Sequence, residues 1–450
     1  VSELPKGWIT TKFTKIFDVN GGTQPPKKEF ISEPKDGYLR LLQIRDFGKK
    51  PVPTYIPDNG KRRICTKDDI LIGRYGASVG RICTGMEGAY NVALARVDRP
   101  NGIDKDYLKY FLKSDLFQYP LTLLSRSAQN GFNKTDLSTF DFAIAPLNEQ
   151  IRIANKLDSI LANVDKAQAR LDKIPAILKR FRQSVLAAAT SGELTKEWRA
   201  IKEIDFEEWT KTKLSEVATS LDPNPSHRYP KSDNSGVPIL STQQFVGESG
   251  WTTDKAKLVN REFYEERKEK TGFFENDIIF ARKGRLGLAR FAPTNMEFVF
   301  SHTVFIVRVS EKVQSNYLLW YLRDEQSLEW LVKEMNSNTG VPTLGKGVFE
   351  KLPINLPCEE EQSEIVSRIE RLFSRANKIE KQYLDAKARL DRLTQSILAK
   401  AFRGELVPQD PTDEPAEKLL ERILAEREFE NPKKKTTKKR TTKTKTAEKG

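Results

Sequence analysis

The chain has 450 residues, more than one ordinary core encloses, so two or more domains are expected. Lys and Arg number 76 against 62 Asp and Glu, for a net charge of +14. Three cysteines and two histidines argue against a disulfide framework and against a zinc site built by spacing.

Cys65, Cys83 and Cys358 form no C-x-x-C pair, which fits a reducing cytosol. No apolar run reaches the roughly 18 residues of a membrane span, and the opening lacks the apolar core of a signal peptide. A soluble, intracellular, basic, multidomain protein is the expectation. In chain order, short strands are predicted at 38–44, 69–73, 79–84 and 92–97, a helix near 104–117, and a strand at 140–145. A second series follows at 237–242, 277–281, 287–292 and 303–309, with a longer helix near 315–334. Proline-rich loops accompany each series, Gly22 to Lys28 and Asp222 to Tyr229.

Between and after these globular stretches lie two long helical ones. Ile153, Leu157, Ile160, Val164, Ala167, Leu171, Ile174, Leu178, Phe181 and Val185 recur at alternating steps of four and three, the seam of a coiled coil. Such a helix would be about 57 Å long at 1.5 Å per residue. Pro175 falls within it and predicts a bend rather than an end. The same seam returns 212 residues later, from Ile365 to Ile397, and Gln150–Leu194 aligns with Gln362–Leu406 without a gap. "TKDDILIGRYG" answers "FENDIIFARKG", so one unit occurs twice, a globular segment and then a helix. The fold class expected is α/β in the mixed α+β sense, with the two helices packed as an antiparallel coiled coil.

Residues 431–450 carry nine Lys or Arg and one Glu, and 408–430 carry eight acidic and three basic residues. Removing both leaves +11 on residues 1–407, which suits an acidic polymer as partner. The boundaries expected are 1–146 and 196–357 for the globular segments, and 147–195 and 358–407 for the helices. A short acidic amphipathic helix at 408–430 and a disordered Lys-rich tail at 431–450 complete the chain. The helix suits docking, on the chain itself or on a partner; the tail suits solubility or weak nonspecific DNA contact.

"PLNEQIRIANKLDSILANVD", "LKRFRQSVLAAATSGELTKEWR" and "LTQSILAKAFRGELVPQ" resemble the conserved regions of specificity subunits of type I restriction-modification enzymes. The "LPKGW" opening and the doubled layout are similar too, and the likeness covers nearly all of 1–430. The resemblance implies two target-recognition domains, each reading one half of a split, asymmetric double-stranded DNA site. It implies that the helical rod sets the spacer and docks two modification subunits, adenine-N6 methyltransferases using S-adenosylmethionine. Two restriction subunits, ATP- and Mg-dependent translocase/nucleases, would complete a prokaryotic cytoplasmic complex. No cofactor, metal or catalytic residue is expected on this chain.

Other readings fare worse on the residues. An amino-methyltransferase needs an [Asp/Asn]-Pro-Pro-aromatic tetrapeptide, and Pro25-Pro26 lacks both flanks. No G-x-G-x-x-G follows a strand, and the P-loop-like run ending Gly345-Lys346-Gly347 has Gly where Ser or Thr should hold magnesium. A coiled-coil DNA adaptor without sequence preference is the alternative that remains; two diverged heads on near-identical helices argue against it.

DNA-reading candidates come from basic and amide residues on loops shared by the two copies. Arg74, Tyr75 and Arg81 follow one strand, Arg282, Lys283 and Arg285 the other; either arginine could instead pair with an acidic neighbour. Gln129, Asn130, Asn133 and Lys134 precede the first long helix, and Asn338, Thr339 and Lys346 the second; amides there could also cap a helix. Gln43 and Arg45, with Gln243 and Gln244, end comparable strands. The proline loops add Thr23, Gln24, Lys27 and Lys28, and Asn224, Ser226, His227 and Arg228. His302 starts a predicted strand and reads as structural or DNA-facing.

Overall fold

The computed structural model describes residues 4–127, 131–206, 209–231, 235–272, 274–335 and 343–430. Two compact units emerge, one from residues 1–170 and 386–450, the other from 171–385.

The first unit begins with β1 (Ile9–Lys12), α1 (Phe13–Ile16), β2 (Asp18–Gly21), β3 (Tyr38–Leu42), β4 (Tyr55–Pro57) and β5 (Ile64–Cys65). It continues through β6 (Ile70–Gly73), β7 (Ile82–Cys83), β8 (Gly88–Tyr90), β9 (Leu94–Asp98), α2 (Lys105–Lys113), α3 (Asp115–Ser127) and β10 (Asp141–Ile144). The first long helical stretch then passes out of this unit with α4 (Leu147–Leu171) and into the second with α5 (Ile174–Thr190) and the short α6 (Lys196–Lys202). β1 pairs antiparallel with β10, so the start and end of the domain close on each other. One sheet has the order β2-β9-β6-β7 and a second β4-β3-β8-β5, with β3 parallel to β8. The apolar strand Ile70–Gly73 is buried on both faces, which explains its unbroken run of large aliphatics. Asp104 caps α2 by accepting from the Tyr107 amide at 2.8 Å.

The second unit repeats the plan with β11 (Thr210–Lys213), α7 (Leu214–Val217), β12 (Ala218–Leu221), β13 (Val237–Leu240), β14 (Phe245–Val246), β15 (Gly250–Trp251) and β16 (Leu258–Val259). After these come α8 (Arg261–Thr271), β17 (Ile278–Ala281), β18 (Ala289–Phe291), β19 (Val299–Phe300) and β20 (Val304–Val309). The chain ends through α9 (Ser315–Leu322), α10 (Glu325–Glu334), α11 (Lys346–Phe349), β21 (Pro353–Leu356), α12 (Glu359–Phe402) and α13 (Ala416–Glu430). The sheet β12-β20-β17-β18 matches β2-β9-β6-β7 strand for strand, and β13 runs parallel to β19 as β3 does to β8. The hairpin β14–β15 and helix α8 belong to the second copy alone among the described residues.

Each domain is bolted to its helix by the same buried polar set. Trp8 Nε1 donates to Glu149 Oε2 at 3.0 Å, and Trp209 Nε1 to Glu361 Oε2 at 2.7 Å. Gln150 accepts from the Asp104 amide at 2.8 Å, and Gln362 from the Gln314 amide at 2.8 Å. In the first unit Phe111 and Tyr107 pack edge-on against Phe402 of α12. In the second, Arg182 of α5 bonds Asn377 and Glu380 of α12 at 2.7 Å each, while Arg368 donates to the Leu194 carbonyl at 2.8 Å. One partner rises in number as the other falls, so these helices run antiparallel.

Two expectations are corrected. The bend at Pro175 is a break: α4 ends at Leu171, residues 172–173 turn, and Pro175 sits in the first turn of α5, where it forfeits no helical bond. The helix predicted at 315–334 is two, α9 and α10, meeting at Asp324, and the one near 104–117 divides into α2 and α3 at Ser114. The acidic helix takes the first of its two alternatives and docks on the chain itself: Leu419 and Ile423 of α13 are buried in the first core, and Arg427 pairs with Asp18 at 2.6 Å. The tail at 431–450 lies outside the described residues. No described helix is long and apolar enough to cross a membrane.

Candidate nucleic-acid interface

In each domain three loops meet around one arginine. The Arg74 amide donates to Ala93 O at 2.9 Å and the Arg282 amide to Thr303 O at 3.0 Å, fixing both at the same point beyond β6 and β17. Their guanidiniums reach the loop before the last strand, Arg74 to Phe132 O at 3.5 Å and Arg282 to Leu344 O at 3.1 Å. The third loop follows β2 or β12, and here the copies part. Arg74 lies over Gly21, where any side chain would strike it, whereas Arg282 pairs with Asp222 at 2.6 Å in a largely buried ion pair. Arg282 therefore takes the acidic-neighbour alternative. Arg74 has no carboxylate partner among the described residues and rests on the Tyr75 ring at 5.1 Å.

The chain needs glycine at Gly22 because a Cβ would strike the Tyr90 and Asn91 carbonyls. Thr23 then donates its amide to Tyr90 O at 3.2 Å, and Gln24, Lys27 and Lys28 continue along an exposed edge. In the other copy Asn224 is fully buried, its Nδ2 bound to Arg228 O at 3.0 Å and its Oδ1 to Ser226 Oγ at 2.9 Å. It shapes the loop that exposes Ser226, His227 and Arg228, and its burial keeps its own amide from a base. His227, at φ +56°, stacks on His302 with ring centres 4.3 Å apart. Burial, then His227 and Lys283, push the His302 imidazole below its ordinary pKa; its Nδ1 meets Tyr229 Oη at 2.9 Å.

The remaining candidates divide by what their side chains already hold. Arg81 binds the carbonyls of Phe47 and Ile44, and Arg285 those of Phe245 and Thr242; both brace the turn after β3 or β13. Gln43 and Gln244 serve as caps of those turns, Gln244 buried and bound to Ser241, so neither extends outward as expected of a base reader. Arg45 and Gln243 stand exposed beside them. Asn133 caps the 136–139 turn, accepting from the Thr135 amide at 2.7 Å, the capping alternative. Lys134 pairs with Asp18, the carboxylate that also holds Arg427 and is kept below its usual range by these two cations against the opposing effect of burial. Lys283 is half-buried and Lys346 sits exposed, 3.5 Å from Glu350. Gln129, Asn130, Asn338 and Thr339 lie outside the described residues. Sequence reasoning missed Asp222, Tyr229 and the stacking of the chain's two histidines; the scarcity of histidine was the one available signal.

Two copies of one α/β unit, each followed by a long helix and each carrying a three-loop cluster, define a class of paired DNA-recognition chains. A family model described as "Type I restriction modification DNA specificity domain" matches residues 5–176 and again 206–386. The chain belongs to this family and is a specificity subunit, a DNA-recognising chain rather than a catalytic one. Its relatives include the type I restriction enzyme StySPI specificity subunit of Salmonella potsdam, 30% identical over 96% of this chain and 98% of that one. The EcoDI specificity subunit of Escherichia coli is 34% identical with the same coverage. A chain solved in work on assembly and conformational transition of the type I R-M system shares the fold, with TM-score 0.67 and 19% identity over 90% of this chain and 100% of that one.

Proposed function

We propose that the first domain reads one half of a split, asymmetric DNA site and the second domain the other half. One observation carries this: the same arginine-centred meeting of three loops occurs in both copies, while the exposed residues around it differ. The framework arginine is bare over Gly21 in one copy and neutralised by Asp222 in the other. Lys27, Lys28, Arg45, Arg74 and Lys134 in the first domain, and Ser226, His227, Arg228, Gln243, Lys283 and Lys346 in the second, are the contacts we assign. Phosphate contacts would set register, and amide and guanidinium groups would read base edges.

The helices would dock the modification subunits. Ile177 of α5 and Ile379 and Leu384 of α12 stand about half exposed, apolar side chains that the chain's own fold leaves open to water. Two modification and two restriction subunits would complete the complex, carrying S-adenosylmethionine, ATP and Mg on their own sites and working on prokaryotic cytoplasmic DNA.

The test is a map of methylated adenine in DNA from cells expressing this chain with its modification partner. Methylation confined to one split motif with a spacer of constant length supports the reading. Methylation that persists when this chain is omitted, or that shows no fixed motif, overturns it in favour of a nonspecific DNA adaptor.

A further inference from the structure

The second unit holds a cavity of about 210 Å³ where its recognition domain meets the helices. Four buried polar atoms on its lining residues lack any hydrogen-bond partner: Arg182 Nε, Gln183 Oε1, Arg290 Nε and Trp320 Nε1. Three are N–H donors, and a buried donor left unmet carries its full desolvation cost. Such a concentration in one place points to something missing rather than to scattered imperfection.

Charge points the same way. Arg290 is 1% exposed, and its terminal nitrogens are held by the carbonyls of Val246, Gly247 and Gly250 in the β14–β15 hairpin. Arg323 beside it binds the carbonyls of Ala289 and Glu248. Neither guanidinium has a carboxylate within 4 Å among the described residues; the Glu248 carboxylate on the cavity wall stands 3.6 Å from Arg182 Nε, just beyond hydrogen-bond range, and its charge reaches Arg323. Burial, with Arg323 and Arg285 nearby, lowers the Arg290 pKa to about 10, the mark of positive charge without a counterion. Leu186, Phe373 and the Trp320 ring close the apolar sides.

The first copy shows how the position looks when satisfied. Gln395 is the counterpart of Gln183, 212 residues on, and its Oε1 accepts from the Asp115 amide at 3.1 Å at the start of α3. In the second copy Gln183 has no such donor, and the space is walled by arginines instead.

We propose that this cavity binds a small free oxyanion, a phosphate or carboxylate, held by the N–H groups of Arg182, Arg290 and Trp320. Gln183 would accept from the ligand's protonated oxygen or from a water bound with it. The anion neutralises Arg290 and Arg323 and ties the β14–β15 hairpin to α5 and α9.

Thermal unfolding of the full chain, titrated with inorganic phosphate or with acetate at constant ionic strength and pH, tests this. A saturating rise in Tm with either anion is expected, and the anion that acts identifies the ligand chemistry. Trp320→Phe keeps an aromatic ring and removes one donor, and should raise the half-saturating concentration about tenfold. Gln183→Glu places a carboxylate inside the cavity; it should raise Tm without added anion and abolish the response. No saturating response to either anion overturns the proposal. So does a response of equal strength in Trp320→Phe, which would mark binding at the DNA-facing loops or general salting effects. A Gln183→Glu chain that still responds fully overturns it as well.

Discussion

Glu149 and Glu361 occupy one position in the two repeats, each accepting from a tryptophan indole, yet among the described residues only Glu361 has a cation in bonding range, Arg152 acting on Glu149 from further off. Arg199 reaches Glu361 Oε1 at 2.5 Å with both side chains buried, whereas Glu149 has Gln409 at 3.2 Å in that role. Removing one partner of a buried pair strands the other charge, so Glu361→Gln should cost about 3–5 kcal/mol in urea unfolding. Glu149 behaves differently, because burial holds its carboxyl above the ordinary 4.5 despite the bonds from Trp8 and Gln409. A carboxyl raised in the folded state contributes stability that is fully present below the unfolded value and is lost as pH rises through the folded value. Glu149→Gln cannot lose it, so the variant should gain on the wild type as pH climbs above 4.5. A stability difference that is flat with pH would show that burial does not govern this carboxyl. The framework arginines diverge in the same manner. Arg282→Ala breaks an ion pair and should lower stability, while Arg74→Ala removes an unpaired cation and should weaken DNA binding with little change in urea midpoint. If Arg74 holds a phosphate, the salt slope of binding falls by about 1; if it reads a base, one half-site relaxes by about 1–3 kcal/mol. Unchanged binding to all DNA excludes both roles.

At the scale of elements, the helices carry the next prediction. Ile177 is 51% exposed and Leu384 57% exposed, so replacing both with Glu should leave the chain's own stability within about 0.5 kcal/mol. Co-purification with the modification subunit should be lost, and its survival would place docking elsewhere. Of Ile177, Ile379 and Leu384, only Ile379 belongs to the seam legible in the sequence; the other two lie off it, where apolar spacing gave no signal. Within the seam, Ile153, Leu157, Leu178, Val185, Ile365, Ile369 and Ala376 are all buried. Strand runs such as Ile70–Gly73 and Val304–Val309 were legible because burial on both faces leaves an unbroken aliphatic signature. Short edge strands such as β5 and β15 escaped, because two residues carry no periodicity. The break before Pro175 escaped because heptad register continues across it, while the prolyl ring suits the first turn of a new helix. Of the candidate site, loops were legible but partners were not. Asp222 and Arg282 lie 60 residues apart and His227 and His302 still further, and only the fold brings them together.

At the scale of the molecule, repetition separates what each copy shares from what each reads. Shared parts are internal: the Trp–Glu bolts, the Gln150 and Gln362 clasps, and the matching sheets β2-β9-β6-β7 and β12-β20-β17-β18. Differing parts lie on the loops around Arg74 and Arg282, so specificity can change without disturbing the frame. Replacing residues 1–145 with the corresponding domain of a relative should therefore alter the methylated motif in one half only. The retained second domain should keep its half, and helices α4, α5 and α12, left intact, should keep the spacer. The bolt partner Glu149 and clasp Gln150 remain with the helix, so the incoming domain must bring its own indole at the place of Trp8. An exchange that includes such an indole should fold and methylate; one lacking it leaves a buried carboxylate without its N–H donor and should lose yield before specificity. Methylation mapping of both chimeras decides the matter. Changes in both halves, or in spacer length, would mean that the two domains do not read independently.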